Sequence, residues 1–96
     1  MPHGYVIAQI NVKDPEAYRE YVAKVTPIVA KFGGEYLIRG GKSETVEGVA
    51  PGERTVVIRF PSLQAARDWY NSPDYAGTKK LRQAASTSVQ TLAEGV

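Results

Sequence analysis

The order of strands and helices nearly repeats within this chain, and the repeat limits the possible folds more than any other feature. A strand-forming stretch at 5–12 precedes a helix that begins at Asp14-Pro15, and another at 54–60 precedes a helix that begins at Pro61-Ser62. Each helix is followed by a further strand-like stretch. Two βαβ units joined by a central hairpin predict an α+β, ferredoxin-like βαββαβ sandwich with a four-stranded antiparallel sheet. We expect a single domain over residues 1–96.

Turn-forming residues set the expected limits of these elements. Gly33-Gly34 should end the first helix, and Pro27 within it should kink or divide the helix near residues 24–26. The second strand is expected over 35–42, with Gly40-Gly41 at its end. Ser72-Pro73-Asp74 should break the second helical region in two, with Ser72 as the new helix cap.

The predicted sheet has two apolar faces, whereas the helices can cover only one of them. Both helical regions should pack on the face that carries Val6, Ala8 and Ile10, which leaves a second face. That second face carries Tyr5, Ile7, Val57 and Ile38. An apolar sheet face of this size indicates association, so we expect a homodimer joined sheet to sheet, as a dimeric α/β barrel.

Composition argues against several classes of protein. The net charge of +2 is too small for a typical nucleic-acid binder, and the densest basic stretch, residues 79–82, has the pattern of a solvated helix face. No apolar run approaches a membrane span, and no secretory signal is visible. The chain has no cysteine and one histidine, His3, so we expect no metal and no cofactor, and a cytoplasmic location.

The order of short motifs along almost the whole chain resembles that of domain of unknown function family 1330, within the dimeric α/β-barrel superfamily. The motifs are Gly4-Tyr5, Asp14-Pro15-Glu16 with Tyr18 and Tyr21, Phe32-Gly33-Gly34, Arg39-Gly40-Gly41, Glu47-Gly48, Arg54, Phe60-Pro61-Ser62, Ala66, Trp69-Tyr70, Ser72-Pro73-Asp74-Tyr75 and Arg82.

This resemblance implies a ferredoxin-like protomer and a dimer whose two sheets form a barrel. It implies no established activity. The superfamily includes cofactor-independent quinone-forming monooxygenases, proteins similar to muconolactone isomerase, haem-binding members and ligand-sensing domains. Because one fold supports so many functions, the function has to be argued from the site.

Three charged residues flank the predicted central hairpin. Arg39 ends the second strand, Glu47 lies in the loop, and Arg54 begins the third strand. We expect the hairpin to bring them together. One arginine could bind a substrate carboxylate while Glu47 orients it or accepts a proton; alternatively, an Arg–Glu pair could simply hold the loop in place.

A second group of candidates lies where the second helical region breaks. Trp69 and Tyr70 point about 100° apart on a helix, so we expect one to enter the core and the other to face a pocket. Tyr75 and Ser72 follow. Aromatic walls with hydroxyl groups suit a flat organic ligand, although core packing and helix capping would explain the same residues.

Arg82 lies two helical turns beyond Tyr75 and on the same helix face. If that face points inward, Arg82 is a buried cation that needs an anion from Glu47, Asp68 or a ligand carboxylate. If it points outward, Arg82 is an ordinary surface residue.

These residues leave three functions open. The first is a homodimeric small-molecule-binding protein whose ligand is an aromatic or carboxylate compound. The second is a cofactor-independent enzyme, such as a monooxygenase or isomerase, acting on a small organic substrate. The third is a dimer with a structural or protein-interaction role.

Overall fold

Four antiparallel strands form one sheet in the order β2-β3-β1-β4. The computed structural model describes residues 2–96. Its elements are β1 (Gly4–Val12), α1 (Pro15–Lys31), β2 (Glu35–Arg39), β3 (Arg54–Phe60), α2 (Leu63–Tyr70), α3 (Pro73–Ala85) and β4 (Ser86–Glu94). The predicted α+β, ferredoxin-like βαββαβ fold is therefore confirmed.

Each helix begins at a side chain that accepts a hydrogen bond from a free backbone amide. The Asp14 carboxylate accepts from the amide of residue 17 at 3.1 Å, which starts α1. Ser62 accepts from the amide of residue 65 at 3.0 Å, and Ser72 accepts from the amide of Tyr75 at 3.2 Å. These caps confirm that the second helical region is two helices with a break at residues 71–72.

Two boundaries differ from the sequence prediction. Helix α1 runs from Pro15 to Lys31 without a division at Pro27. Pro27 has no N–H group to donate to the carbonyl of Ala23, four residues earlier. Ala23 is exposed, so water can donate to that carbonyl instead. Strand β2 ends at Arg39 rather than at residue 42, because Gly40 turns the chain with a φ of 72°.

The core lies between the helices and the inner face of the sheet. Val6, Ala8 and Ile10 of β1 alternate inward and are buried, and residues 56, 58 and 60 of β3 do the same. Helix α1 contributes two tyrosines and two valines to this layer, and α2 and α3 contribute an aromatic cluster. Most of the apolar side chains of the helices are therefore used on one face of the sheet.

The outer face of the sheet carries exposed apolar side chains. Ile7 lies opposite Val57, and Val57 lies opposite Ile38, so the three form a row across the central strands. Ile7 and Ile38 are 40% and 44% exposed, and Val89 on β4 is 52% exposed. The predicted one-sided packing of the helices is confirmed, and it leaves this surface uncovered in the protomer.

Candidate functional site

A narrow cleft opens between α1 and the inner face of the sheet. Its floor is aliphatic, and its polar groups come from three tyrosines, two arginines, an indole and an amide: Tyr18, Tyr21, Tyr36, Arg39, Arg54, Trp69 and Gln90. The cavity volume is about 30 Å³, which is room for roughly two water molecules. A larger ligand would require some of these side chains to move.

The two predicted arginines both reach this cleft. Arg39 donates to the Thr26 hydroxyl at 2.5 Å and lies 4.5 Å from the centre of the Tyr36 ring. The Arg54 guanidinium lies 5.2 Å from the centre of the Tyr18 ring. The negative faces of aromatic rings attract cations, so both arginines are held at the cleft although no carboxylate of residues 2–96 pairs with them.

Glu47 does not lie with Arg39 and Arg54, so the expectation that the hairpin brings all three together is wrong for Glu47. Glu47 is exposed and forms no ion pair within residues 2–96. The reason is the loop itself, because residues 41–49 are all exposed and no buried side chain holds that segment against the strands. The cleft is consequently positive rather than neutralised by the loop.

Trp69 forms the inner end of the cleft. It is 1% exposed, and its ring stacks on Tyr75 with centroids 4.3 Å apart. Among the fully enclosed side-chain nitrogen and oxygen atoms of residues 2–96, Trp69 Nε1 and Arg54 Nε have no hydrogen-bonding partner. Both residues line the cleft, and each carries one enclosed donor that has no acceptor within residues 2–96.

A chain of hydrogen bonds runs from the cleft toward β4. The hydroxyl groups of Tyr21 and Tyr75 are 2.8 Å apart, and Arg82 Nε donates to the Tyr75 hydroxyl at 3.3 Å. Arg82 Nη1 donates to Ser88 at 2.7 Å. The face that carries Tyr75 and Arg82 therefore points inward, and none of the anions considered from the sequence reaches Arg82, since Asp68 instead accepts from Gln64.

Burial controls the protonation of the site. It raises the pKa of Tyr21 well above its usual value, an effect that the neighbouring Tyr75 hydroxyl reinforces. Burial also raises the pKa of Tyr18 and of Tyr36, although Arg54 and Arg39, respectively, oppose part of this effect. These phenols are neutral near pH 7 and act there as hydrogen-bonding groups, not as bases.

Arg82 stays charged despite its burial. Burial lowers the pKa of its guanidinium, the Tyr75 hydroxyl raises it, and the balance leaves the pKa above its ordinary value.

The remaining predicted site residues lie beside the cleft. Ser72 is buried as the cap of α3, where its hydroxyl also donates to the backbone carbonyl of Trp69 at 2.8 Å. Tyr70 is half-buried and lines a separate cavity near Arg82. Trp69 is thus the member of the pair that enters the core and also reaches the cleft, whereas Tyr70 faces the second cavity.

Sequence reasoning missed several polar residues of this region. Tyr18 and Tyr21 enter the sequence analysis only as motif residues of α1 with no predicted site role, yet their hydroxyl groups distinguish them from the valines around them. Ser88 and Gln90 occupy inward positions of β4 opposite Ile10 and Ala8. Polar residues at inward positions of a strand were the signal that could have revealed them.

The described part of the chain has neither a membrane-spanning helix nor a metal-binding cluster. No helix within residues 2–96 is both long and apolar enough to cross a membrane. The same residues contain no cluster of three or more His, Asp or Glu side chains that could hold a metal ion. His3 is exposed and does not line the cleft.

Several solved structures share the ferredoxin-like fold of this chain. A Rhodopseudomonas palustris protein of unknown function superposes with a TM-score of 0.80 at 18% identity, over 99% of this chain and 83% of that chain. SnoaB, a cofactor-independent oxygenase from Streptomyces nogalater, superposes with a TM-score of 0.69 at 15% identity, over 97% of this chain and 92% of that chain.

A hypothetical Arabidopsis thaliana protein superposes with a TM-score of 0.70 at 13% identity, over 99% of this chain and 88% of that chain. At such identities these structures establish the fold alone. No curated protein matches the chain. The model of the family described as Domain of unknown function (DUF1330) matches residues 3–96, so the chain belongs to that family, as its motifs indicated.

Proposed function

We propose that this protein is a homodimer that binds a small aromatic or carboxylate compound in the cleft between α1 and the sheet. The observation that carries the proposal is the pair of enclosed, unpaired donors, Trp69 Nε1 and Arg54 Nε. A buried N–H group without an acceptor is costly, by about 1–3 kcal/mol in typical cases. Because both atoms are enclosed, the side chains of the cleft must shift before a ligand acceptor can reach them, and the hydrogen bond then formed would remove this cost.

The lining of the cleft favours a flat, electron-rich ligand. Tyr18, Tyr21 and Tyr36 together with Trp69 supply aromatic surface above an aliphatic floor. Arg39 and Arg54 supply positive charge, and within residues 2–96 no Asp, Glu or His side chain lines the cleft. Aromatic surface with convergent guanidinium groups suits a compound that carries a carboxylate or an ionised hydroxyl.

The homodimer is supported by the outer face of the sheet. Ile7, Val57 and Ile38 form an apolar row that the protomer leaves uncovered. A second copy is the partner that presents a complementary face of the same shape and polarity, through a two-fold axis. Fold relatives of the dimeric α/β-barrel type are consistent with this pairing. We further expect the dimer to reside in the cytoplasm.

A cofactor-independent enzyme is the second candidate function. Tyr21 lines the cleft, and its hydroxyl group is held by that of Tyr75, which accepts from Arg82, so it could give a substrate a fixed hydrogen bond. The fold of SnoaB, a cofactor-independent oxygenase, supports this reading by analogy alone. If turnover is detected, substitution of Arg39 or Tyr75 should reduce it, and unchanged turnover would refute the assignment of those residues.

The binding proposal is tested by ligand-dependent thermal stabilisation. Benzoate and 4-hydroxybenzoate are compared with benzyl alcohol, which has the ring without the carboxylate. The acids should raise the melting temperature more than the alcohol does. Replacing Trp69 by Phe keeps a ring but removes the N–H group, and it should weaken binding of the acids about tenfold, equivalent to roughly 1.4 kcal/mol.

Tyr70→Phe is the matched control, because Tyr70 touches Trp69 from outside the cleft, with ring centroids 6.0 Å apart. This variant should bind the acids as the wild type does. The proposal is wrong if the acids stabilise the protein no more than benzyl alcohol does. It is also wrong if Trp69→Phe binds them with unchanged affinity. A dimer that binds none of them would favour a structural or protein-interaction role.

A further inference from the structure

A second cavity lies between the end of α3 and the beginning of β4, outside the cleft. We propose that it is a binding site for a small oxyanion, a carboxylate or a phosphate, held by Arg82. The cavity has a volume of about 450 Å³ and is open to solvent. Its lining residues all carry a polar group and are Tyr70, Arg82, Gln83, Ser86, Thr87, Ser88 and Gln90.

The charge of Arg82 is uncompensated in the protomer. The residue is 3% exposed, and its hydrogen bonds go to two neutral hydroxyl groups, those of Tyr75 and Ser88. No carboxylate of residues 2–96 lies within 4.0 Å of it. Burying a cation without an anion is strongly unfavourable, and a bound anion would offset this for Arg82.

One end of the guanidinium remains available to such an anion. Arg82 uses Nε and Nη1 for its two hydrogen bonds, whereas Nη2 donates to no acceptor within residues 2–96. In that part of the chain, the enclosed side-chain atoms that lack a hydrogen-bonding partner are Arg54 Nε and Trp69 Nε1, so Arg82 Nη2 is not enclosed. Nη2 therefore retains contact with open space, and Arg82 lines the cavity.

The surroundings of the cavity are positive and contain suitable second partners. Lys79, one turn before Arg82, donates to the Tyr70 carbonyl at 3.0 Å and lies 4.1 Å from the centre of the Tyr70 ring. The amide of Gln90 donates to Ser88 at 3.1 Å, which leaves the Ser88 hydroxyl hydrogen free to point at a ligand. A guanidinium with a hydroxyl donor beside it fits a carboxylate or phosphate oxygen.

This site does not depend on the cleft being a ligand site. Gln90 lines both cavities, but the oxyanion site rests on Arg82 and Ser88, and the two unpaired donors of the cleft play no part in it. It can therefore be tested with simple anions, whatever the cleft binds.

The test is isothermal titration calorimetry of the wild-type protein with inorganic phosphate and, separately, with acetate, at constant ionic strength maintained with chloride. Removing Arg82 itself would also break its bonds to Tyr75 and Ser88, so the diagnostic variant is Gln83→Glu. Gln83 is exposed on the cavity wall, and a carboxylate there would supply the missing anion from within the chain. The affinity for the anion should fall at least tenfold.

Lys80→Gln is the matched control, since it changes the net charge by the same amount on the same helix but is exposed and does not line the cavity. It should keep the wild-type affinity within about twofold. Saturable binding of acetate alone points to an organic acid, and of phosphate alone to a phosphate ester; either supports the site. Absence of saturable binding of both anions, or equal losses in the two variants, overturns it.

Discussion

The indole ring of Trp69 stacks on the phenol ring of Tyr75 with a centroid separation of 4.3 Å and an interplanar angle of 28°. This contact joins α2 to α3 across the two-residue break between them. It also connects the two polar parts of the molecule, because Trp69 lines the cleft and Tyr75 accepts a hydrogen bond from Arg82. The Trp69–Tyr75 pair therefore connects the cleft, where Trp69 Nε1 has no acceptor, to the second cavity, where Arg82 has no anion.

Removing the hydroxyl group of Tyr75 should destabilise the fold. In Tyr75→Phe, the Tyr21 hydroxyl and Arg82 Nε both lose their partner in a buried region. We expect the free energy of unfolding to fall by about 1–3 kcal/mol. Urea denaturation followed by circular dichroism measures it.

Tyr70→Phe again serves as the reference, because the Tyr70 hydroxyl takes part in no hydrogen bond within residues 2–96. Tyr70→Phe should lower the free energy of unfolding by less than about 0.5 kcal/mol. Equal costs for the two variants would show that the Tyr75 hydroxyl contributes nothing specific.

Stability should decrease at alkaline pH because of the buried phenols. The pKa of Tyr21 is raised in the folded chain, whereas it is near 10.0 in the unfolded chain. Below pH 10 both states are protonated. Above it the unfolded chain releases the proton first, so the free energy of unfolding falls by up to about 1.4 kcal/mol per pH unit for this residue, until the folded pKa is reached.

Urea denaturation of the wild type and Tyr21→Phe between pH 8 and pH 11 measures this effect. The variant should lose stability less steeply above pH 10, because one of the groups with a raised pKa is missing. If the free energy of unfolding falls equally steeply with pH in both proteins, Tyr21 is not a buried, protonated phenol.

Dimer formation and stability should be coupled through the outer face of the sheet. A charge at Val57 would lie between Ile7 and Ile38, and desolvating it against a second copy would be unfavourable. Val57→Glu should therefore dissociate the dimer and lower the melting temperature together. Analytical ultracentrifugation and differential scanning calorimetry measure the two effects.

Ala23→Glu places the same charge on the exposed side of α1 and should change neither property appreciably. Dissociation of the Val57 variant at an unchanged melting temperature would refute the coupling.

The topology could be predicted because periodicity and caps act locally. Asp14, Ser62 and Ser72 each begin a helix as their sequence positions predict. The effect of Pro27 could not be predicted, because it depends on which side of α1 faces solvent. The glycines at 40 and 41 did indicate the end of β2, and only the exact last residue, Arg39, differed from the predicted range.

The site was only partly predictable, for a different reason. Arg39, Arg54 and Trp69 line the cleft, and Tyr75 packs beside it against Trp69. Their positions near the end of an element or at a helix break could indicate this placement, whereas their role in binding stays a prediction. Glu47 was misplaced, since the path of a long exposed loop is not set by spacing. The missing acceptors of Trp69 and Arg54 are properties of the packed interior, and no sequence pattern reports them.

Native mass spectrometry of the wild type and Trp69→Phe, both purified from the same expression host, tests the central claim most directly. It reports the number of subunits and any retained small molecule in one spectrum. We expect a wild-type dimer that carries additional mass, released on collisional activation, and less retained mass in the variant. A monomer at micromolar concentration with no retained mass would contradict both the dimer and the cleft ligand.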